Sequence, residues 1–272
     1  MLFLVSETII IIVVANQFAF FQSAEFPKKQ SPDWLVGLPV VKHQNQLTDY
    51  QGYFSYQQVN EQLALSFSAE LDGKRVFMFV DLMTGQVGYR RQHGGGRKQH
   101  IAKACGLKAN WNPKVLDATG GLGRDAAELR SLGCDLRIIE RSPFIASLLQ
   151  DGITRASLST DNKLFSQGFD LHHGQSVELI KKLSQSEKAD IIYLDPMFPP
   201  KQKSAAVKKE MRLVKLLVGE DPDADNLLPV ALAHAQKRVV VKRPSYAPYL
   251  NEQKPSMSIE SKGNRFDVYV NN

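Results

Sequence analysis

The chain has 272 residues, 43% hydrophobic and 23% charged, enough for one large domain or a compact domain with a smaller appendage. Eighteen glycines and thirteen prolines exclude a collagen-like or low-complexity chain; two cysteines, Cys105 and Cys134, exclude a disulfide framework or a four-thiolate zinc site and suit a reducing, cytoplasmic setting. With 34 basic and 28 acidic residues the net charge is +6, a mild pointer to a polyanionic partner.

Residues 9–15 (IIIIVVA) are continuously apolar. No Lys or Arg precedes Lys28, Glu7 stands where a signal peptide carries positive charge, and Asn16 and Gln17 stop the run short of the roughly 20 apolar residues that span a bilayer. Isoleucine and valine favour strands, so a buried strand is expected, with no membrane partner. Residues 63–71 (LALSFSAEL) alternate, Asp72-Gly73 supplies a hairpin turn into residues 75–81, and residues 86–91 are expected as a third strand. Residues 1–92 therefore read as a small antiparallel, β-rich domain, closed by a hinge at His93-Gly94-Gly95-Gly96.

The second domain, residues 93–272, opens with a helical stretch over 97–105. Strands are expected at 114–117, 136–140, 169–173, 191–194, 238–242 and 265–270, and helices at 123–132, 143–155, 176–183, 205–217 and 225–235. Such alternation predicts a doubly wound α/β sheet.

The segment DATGGLGRD (117–125) follows the first of these strands and opens a helix, where ligands of open α/β sheets bind. Gly121 and Gly123 permit a tight turn and leave room against the main chain. Asp117 offers an acceptor to an ammonium or a sugar hydroxyl. Glu140 ends the next strand, 19 residues after Gly121, where an acid reaches ribose hydroxyls. The same loop satisfies the dinucleotide form G-x-G-x-x-A, and glycines also punctuate plain strand-to-helix turns, so the nucleotide stays open at this point.

Residues 191–200 (IIYLDPMFPP) carry a strand into a proline-stiffened loop. Asp195 and the Pro196 carbonyl present acceptors for an exocyclic amine, and Phe198 offers a stacking face; the alternative is a stiff connection with Phe198 in the core. Lys201, Lys203, Lys208, Lys209 and Arg212 follow with Glu210 as the one interspersed acid, a pattern that suits phosphate contact as well as a solvated helix face. Arg97, Lys98, Lys103 and the run Lys242-Arg243-Pro244 would extend that basic surface. His172 and His173 are adjacent and point to opposite sides of a strand, and His93 and His100 lie outside ligand spacing, so no metal is expected.

DATGGLGRD, the strand end at Glu140-Arg141-Ser142-Pro143, YLDPMFPPKQKSAAVKKEMR and the C-terminal KRVVVKRPSYAP…KGNRFDVYV together resemble the ribosomal RNA small subunit methyltransferase J family. The resemblance runs from about residue 85 to 270. It implies a class I, Rossmann-like methyltransferase domain that uses S-adenosylmethionine to methylate the N2 amine of a guanosine near the 3′ end of 16S rRNA, in free RNA or in a small-subunit particle. Carried over residue by residue, the cofactor contacts are Arg124, Asp125, Glu140, Arg141, Gln175, Ser176 and Asp195. Gly120 stands where relatives often have alanine, Gln175 where serine is usual, and Met197 replaces the second proline of an Asp-Pro-Pro-Tyr motif. Two rivals remain: a nicotinamide-dependent oxidoreductase using the same loop, and a non-catalytic RNA-binding assembly factor.

Overall fold

The computed structural model describes residues 17–26, 32–84, 95–158, 169–198, 209–219 and 224–271. The apolar run at 9–15, the strand expected at 86–91, the domain boundary at 92 and Lys201, Lys203 and Lys208 lie outside the described residues.

Two sheets organise the chain. The first has the order β2-β1-β3-β4-β5, with β1 at Phe18–Phe21, β2 at Val40–Val41, β3 at Gly52–Val59, β4 at Gln62–Leu71 and β5 at Lys74–Met78. Two tight hairpins join its last three strands. Asn60-Glu61 and Asp72-Gly73 both hold two successive positive φ angles, the conformation whose twist matches flanking strands. The expected antiparallel pairing holds for β3, β4 and β5, while β1 runs parallel to both β2 and β3, so the sheet as a whole is mixed.

The second sheet has the order β11-β12-β10-β9-β6-β7-β8. Its strands are β6 (Lys114–Asp117), β7 (Asp135–Glu140), β8 (Asp170–His173), β9 (Ile191–Leu194), β10 (Arg238–Pro244), β11 (Met257–Glu260) and β12 (Asn264–Val270). Strands β8, β7, β6, β9 and β10 are parallel, and β12 joins β10 antiparallel. Helices α1 (His100–Ala104), α2 (Arg124–Ser131), α3 (Pro143–Ser157), α4 (Ser176–Lys181), α5 (Lys209–Val218) and α6 (Ala224–His234) complete the fold.

Alternate strand residues feed opposite cores, as a sheet covered on both faces requires. Val115, Ile138, Ile191, Tyr193 and Val240 meet Ala126, Leu129, Ile145 and Leu148 of α2 and α3. Leu116, Ile139, Ile192, Leu194, Val239 and Val241 meet Ile180 of α4 and Leu227, Leu228 and Ala231 of α6. The doubly wound expectation is realised, with β6 at the switch point between β7 and β9.

The first core continues into the N-terminal sheet. Phe144 of α3 lies 5.3 Å from Phe18 and 5.7 Å from Phe54, ring centre to ring centre. Burying rings of this size stabilises by ~1.5–3 kcal/mol each, so the small sheet is seated on α3 by apolar packing. Among the described residues no helix is long and apolar enough to cross a membrane.

Candidate active site

The site is built at the carboxyl ends of β6, β7, β9 and β10. Backbone bonds from Gly120 N to Ile139 O and Gly123 N to Gly120 O, both 2.9 Å, curl the 117–125 loop over the end of β7. At Gly121 (φ +52°) a Cβ would meet only Thr119 O, at 3.7 Å, so here the missing Cβ leaves room for a ligand. Gly123 (φ +71°) is different: a Cβ there would lie 2.5 Å from Leu149 Cδ1, so its bareness serves helix packing. The Gly120 departure has a local reason as well, since a Cβ would fall 2.6 Å from Ile138 Cγ2.

Glu140 is buried at the end of β7, where its two oxygens accept from Gly121 N and Ser142 N, each at 2.7 Å. Burial raises its pKa, and these two N–H groups oppose the rise. Glu140 therefore fastens the glycine loop to the start of α3, which Ser142 caps and Pro143 begins. Beyond these two bonds a carboxylate retains lone pairs for hydroxyl donors.

Asp117 is 2% exposed and accepts from Thr119 N at 3.0 Å. Burial pushes it up to about 7; Asp125, Asp195 and Glu140 add to the rise, and the Thr119 N–H opposes it. Asp125, in the first turn of α2, accepts from the buried Tyr193 hydroxyl at 2.7 Å and from Lys242 Nζ at 2.6 Å, both at Oδ2. The same Lys242 Nζ donates to Asp195 Oδ2 at 2.8 Å. Register explains the meeting: Val241 of β10 pairs with Leu194 of β9, which sets Lys242 level with Asp195. Burial works against the Lys242 charge, but Asp195 and Asp125 more than offset it, so its pKa lies above the ordinary lysine value. Asp195 is raised by burial and by Asp125, against the pull of Lys242.

The proline loop starts at Asp195, whose backbone N donates to Thr119 Oγ1 at 2.6 Å, tying it to the glycine loop. Pro196 is buried and Phe198 is half-buried. The Arg243 guanidinium lies over the Phe198 ring at 4.6 Å, and Tyr246 stands edge-on at 5.9 Å. Phe198 is thus held at the surface of the site and is absent from the apolar cores.

The expected basic surface needs correction, and the other candidate residues take the following places. Lys242 and Arg243 do not extend a basic surface: one is half-buried and paired with two acids, and the other is 4% exposed behind Phe198. Arg97 clamps the backbone carbonyls of Trp111 and Leu132, each at 2.9 Å, while Lys98 and Lys103 are exposed. Arg124 pairs with Glu210 of α5 (2.5 Å), and Arg212 grips Asp72 in the β4–β5 turn with Nη2 2.9 Å from Oδ1. Lys209 is exposed. Gln175 is exposed at the N-cap of α4 and makes no capping bond, and Ser176 Oγ donates to Ala118 O at 2.6 Å. The Arg141 carbonyl meets His173 Nε2 at 3.1 Å, and His172 pairs with Asp170 on the other side of β8. Sequence reasoning missed Lys242, Tyr193, Thr119 and Tyr246 as parts of the site.

These contacts decide between nucleotides. The Gly121 N–H that would cradle a pyrophosphate is bonded to Glu140, and of the four carboxylates in this region (Asp117, Asp125, Glu140 and Asp195) Asp125 and Asp195 share one ammonium, Lys242. Two phosphates would enter an acidic pocket at a Coulombic cost. A ligand carrying a sulfonium and an ammonium meets charge of the opposite sign, and its ribose hydroxyls suit the remaining Glu140 lone pairs.

A SAM-dependent methyltransferase family model matches residues 41–271. The ribosomal RNA small subunit methyltransferase J of Aeromonas hydrophila is 57% identical over 217 residues, covering 77% of this chain and 87% of that protein. The chain belongs to the methyltransferase J family. A second member, from Psychromonas ingrahamii, is 50% identical over 225 residues, covering 82% of this chain and 87% of its own. The crystal structure of a SAM-dependent methyltransferase from Neisseria gonorrhoeae superposes with a TM-score of 0.67 at 33% identity, over 93% of this chain and 95% of that one. The cofactor of this methyltransferase is S-adenosylmethionine, which the pocket fits by charge and by the open side of Gly121.

Proposed function

We propose that the protein transfers a methyl group from S-adenosylmethionine to the N2 exocyclic amine of a guanosine in 16S rRNA, in free RNA or in a small-subunit particle in the cytoplasm. The observation that carries this reading is Asp195: its carboxylate ends β9 beside the glycine loop, one oxygen held by Lys242, with Phe198 three residues on. The relatives' names supply the RNA class, and an acceptor beside an aromatic ring supplies the amine.

When bound, the cofactor brings an electrophilic methyl group on a sulfonium. Glu140, the Gly121 backbone and Asp117 would hold it. Asp195 and the Pro196 carbonyl would accept hydrogen bonds from the amine and aim the nitrogen lone pair at the methyl carbon, Phe198 would fix the plane of the base, and the N2 proton that the methyl replaces would pass to water. A paired guanine must first leave its stack. The basic segment Lys201, Lys203, Lys208 and Lys209 would track the phosphates. The RNA-binding factor without chemistry leaves the acid pocket and its lysine unexplained.

The test is transfer of tritiated methyl to small-subunit RNA by wild type and Asp195→Ala. Turnover should vanish in the variant while RNA affinity stays within a few-fold. Near wild-type transfer at saturating cofactor would refute the role of Asp195.

A further inference from the structure

Resting on the amine-methylation reading, we infer that Lys242 is a positioning residue that keeps Asp195 as a carboxylate acceptor and fixes which of its oxygens meets the amine. The geometry is a short hydrogen-bonded chain whose Asp195 end is 40% exposed. Tyr193 and Lys242 both donate to Asp125 Oδ2, at 2.7 and 2.6 Å, and Lys242 donates onward to Asp195 Oδ2 at 2.8 Å. Lys242 thereby engages Asp195 Oδ2, and the amine is assigned to Oδ1.

Chemistry makes the charge state decisive. An ionised carboxylate accepts at both oxygens, whereas a protonated one presents an O–H donor toward an amine that is itself a donor. The groups facing Asp195 come from the neighbouring strand and helix ends: Asp117 from β6, Asp125 from α2, Tyr193 from β9 and Lys242 from β10. Asp117 and Asp125 supply no positive charge, Tyr193 is neutral, and Arg124 is paired with Glu210. Lys242 is thus the cation bonded directly to Asp195 among the described residues. Its removal leaves Asp195 beside Asp117 and Asp125, where taking up a proton is the cheapest relief. Asp125 has the converse role, since it repels Asp195 and competes for the ammonium.

The two neutralisations therefore move the same titration in opposite directions. Single-turnover rates at saturating cofactor and RNA are measured from pH 5 to 9. In Lys242→Met the acidic limb should rise by about one pH unit or more, which is about tenfold in rate on its slope, with recovery toward high pH. Lys242→Arg should restore the wild-type limb, and Asp125→Asn should lower it. In the cofactor-free protein, the 13C-carboxyl resonance of Asp195, assigned by its loss in Asp195→Asn, should shift its midpoint in the same two directions. An unmoved limb with a rate lowered equally at every pH would mean a merely structural lysine and overturn the proposal. So would an upward shift in Asp125→Asn, which decides alone if Lys242→Met does not fold. Failure of the underlying reading looks different: the wild type itself would place no methyl on an exocyclic amine at any pH.

Discussion

Asp117→Asn probes the electrostatics of the pocket without touching the chemistry of transfer. Asp117 is 2% exposed, shares its surroundings with Asp125, Asp195 and Glu140, and is pushed up to about 7, chiefly by burial. In the unfolded chain the same group titrates near 3.9. Between about pH 4 and pH 7 the folded protein keeps a proton that the unfolded chain has released, so this group's contribution to stability falls as pH rises. At ~1.4 kcal/mol per unit over about three units, the loss is about 4 kcal/mol, complete once pH passes the folded value. Asparagine keeps an oxygen for the Thr119 N–H and does not titrate. The stability difference between Asp117→Asn and wild type should therefore grow in favour of the variant from pH 5 to pH 7 and level off by pH 8. Urea unfolding of the cofactor-free proteins, followed by circular dichroism at fixed ionic strength, measures it. A difference that does not change with pH, or that shrinks across this window, refutes the buried-carboxylate account.

Three further outcomes follow from the same geometry. S-adenosylmethionine should displace protons from the pocket near pH 7, because its sulfonium lowers the Asp117 pKa; calorimetry in buffers of different ionisation enthalpy should show release, smaller for S-adenosylhomocysteine. Glu140→Ala should weaken cofactor affinity by at least tenfold and loosen the glycine loop, since it removes charge-assisted bonds to Gly121 and Ser142 worth ~1.5–3 kcal/mol each; unchanged affinity in a folded variant would take Glu140 out of the site. Lys201→Ala/Lys203→Ala should lower the log–log salt slope of RNA binding by roughly 0.7 to 0.9 per contact, whereas Arg212→Ala should leave the slope alone because its guanidinium is held by Asp72; equal slopes for wild type and the double variant would return the lysines to a solvated face.

The strand ends were legible because each apolar run stops at an acid: Asp117, Glu140 and Asp195 all mark the carboxyl edge where ligands of such sheets bind. The inward face of Lys242 was not, because KRP read alone is a basic strand end. Its direction follows only from the parallel register of β10 on β9, a pairing 47 residues apart in sequence. The ion pair of Arg212 was not legible for a similar reason: a helical run of lysines and arginines suggests a phosphate face, and its partner Asp72 is 140 residues upstream. In the N-terminal sheet, Phe18–Phe21 looked like the tail of the preceding apolar run, and Gly52–Val59 (GYFSYQQV) lacks clean alternation. Their parallel pairing, Phe18 with Gly52 and Phe20 with Phe54, depends on a shared seat against Phe144 of α3 that local pattern does not carry.

The central claim is that Asp195 presents an exocyclic guanine amine of 16S rRNA to the cofactor's methyl group. Its most direct test is nucleoside mass spectrometry of small-subunit RNA from a strain lacking the enzyme, after incubation with pure protein and methyl-labelled S-adenosylmethionine. Labelled N2-methylguanosine should appear with wild type and be absent with Asp195→Ala. Label in another nucleoside, or N2-methylguanosine formed as well by Asp195→Ala, would contradict the account.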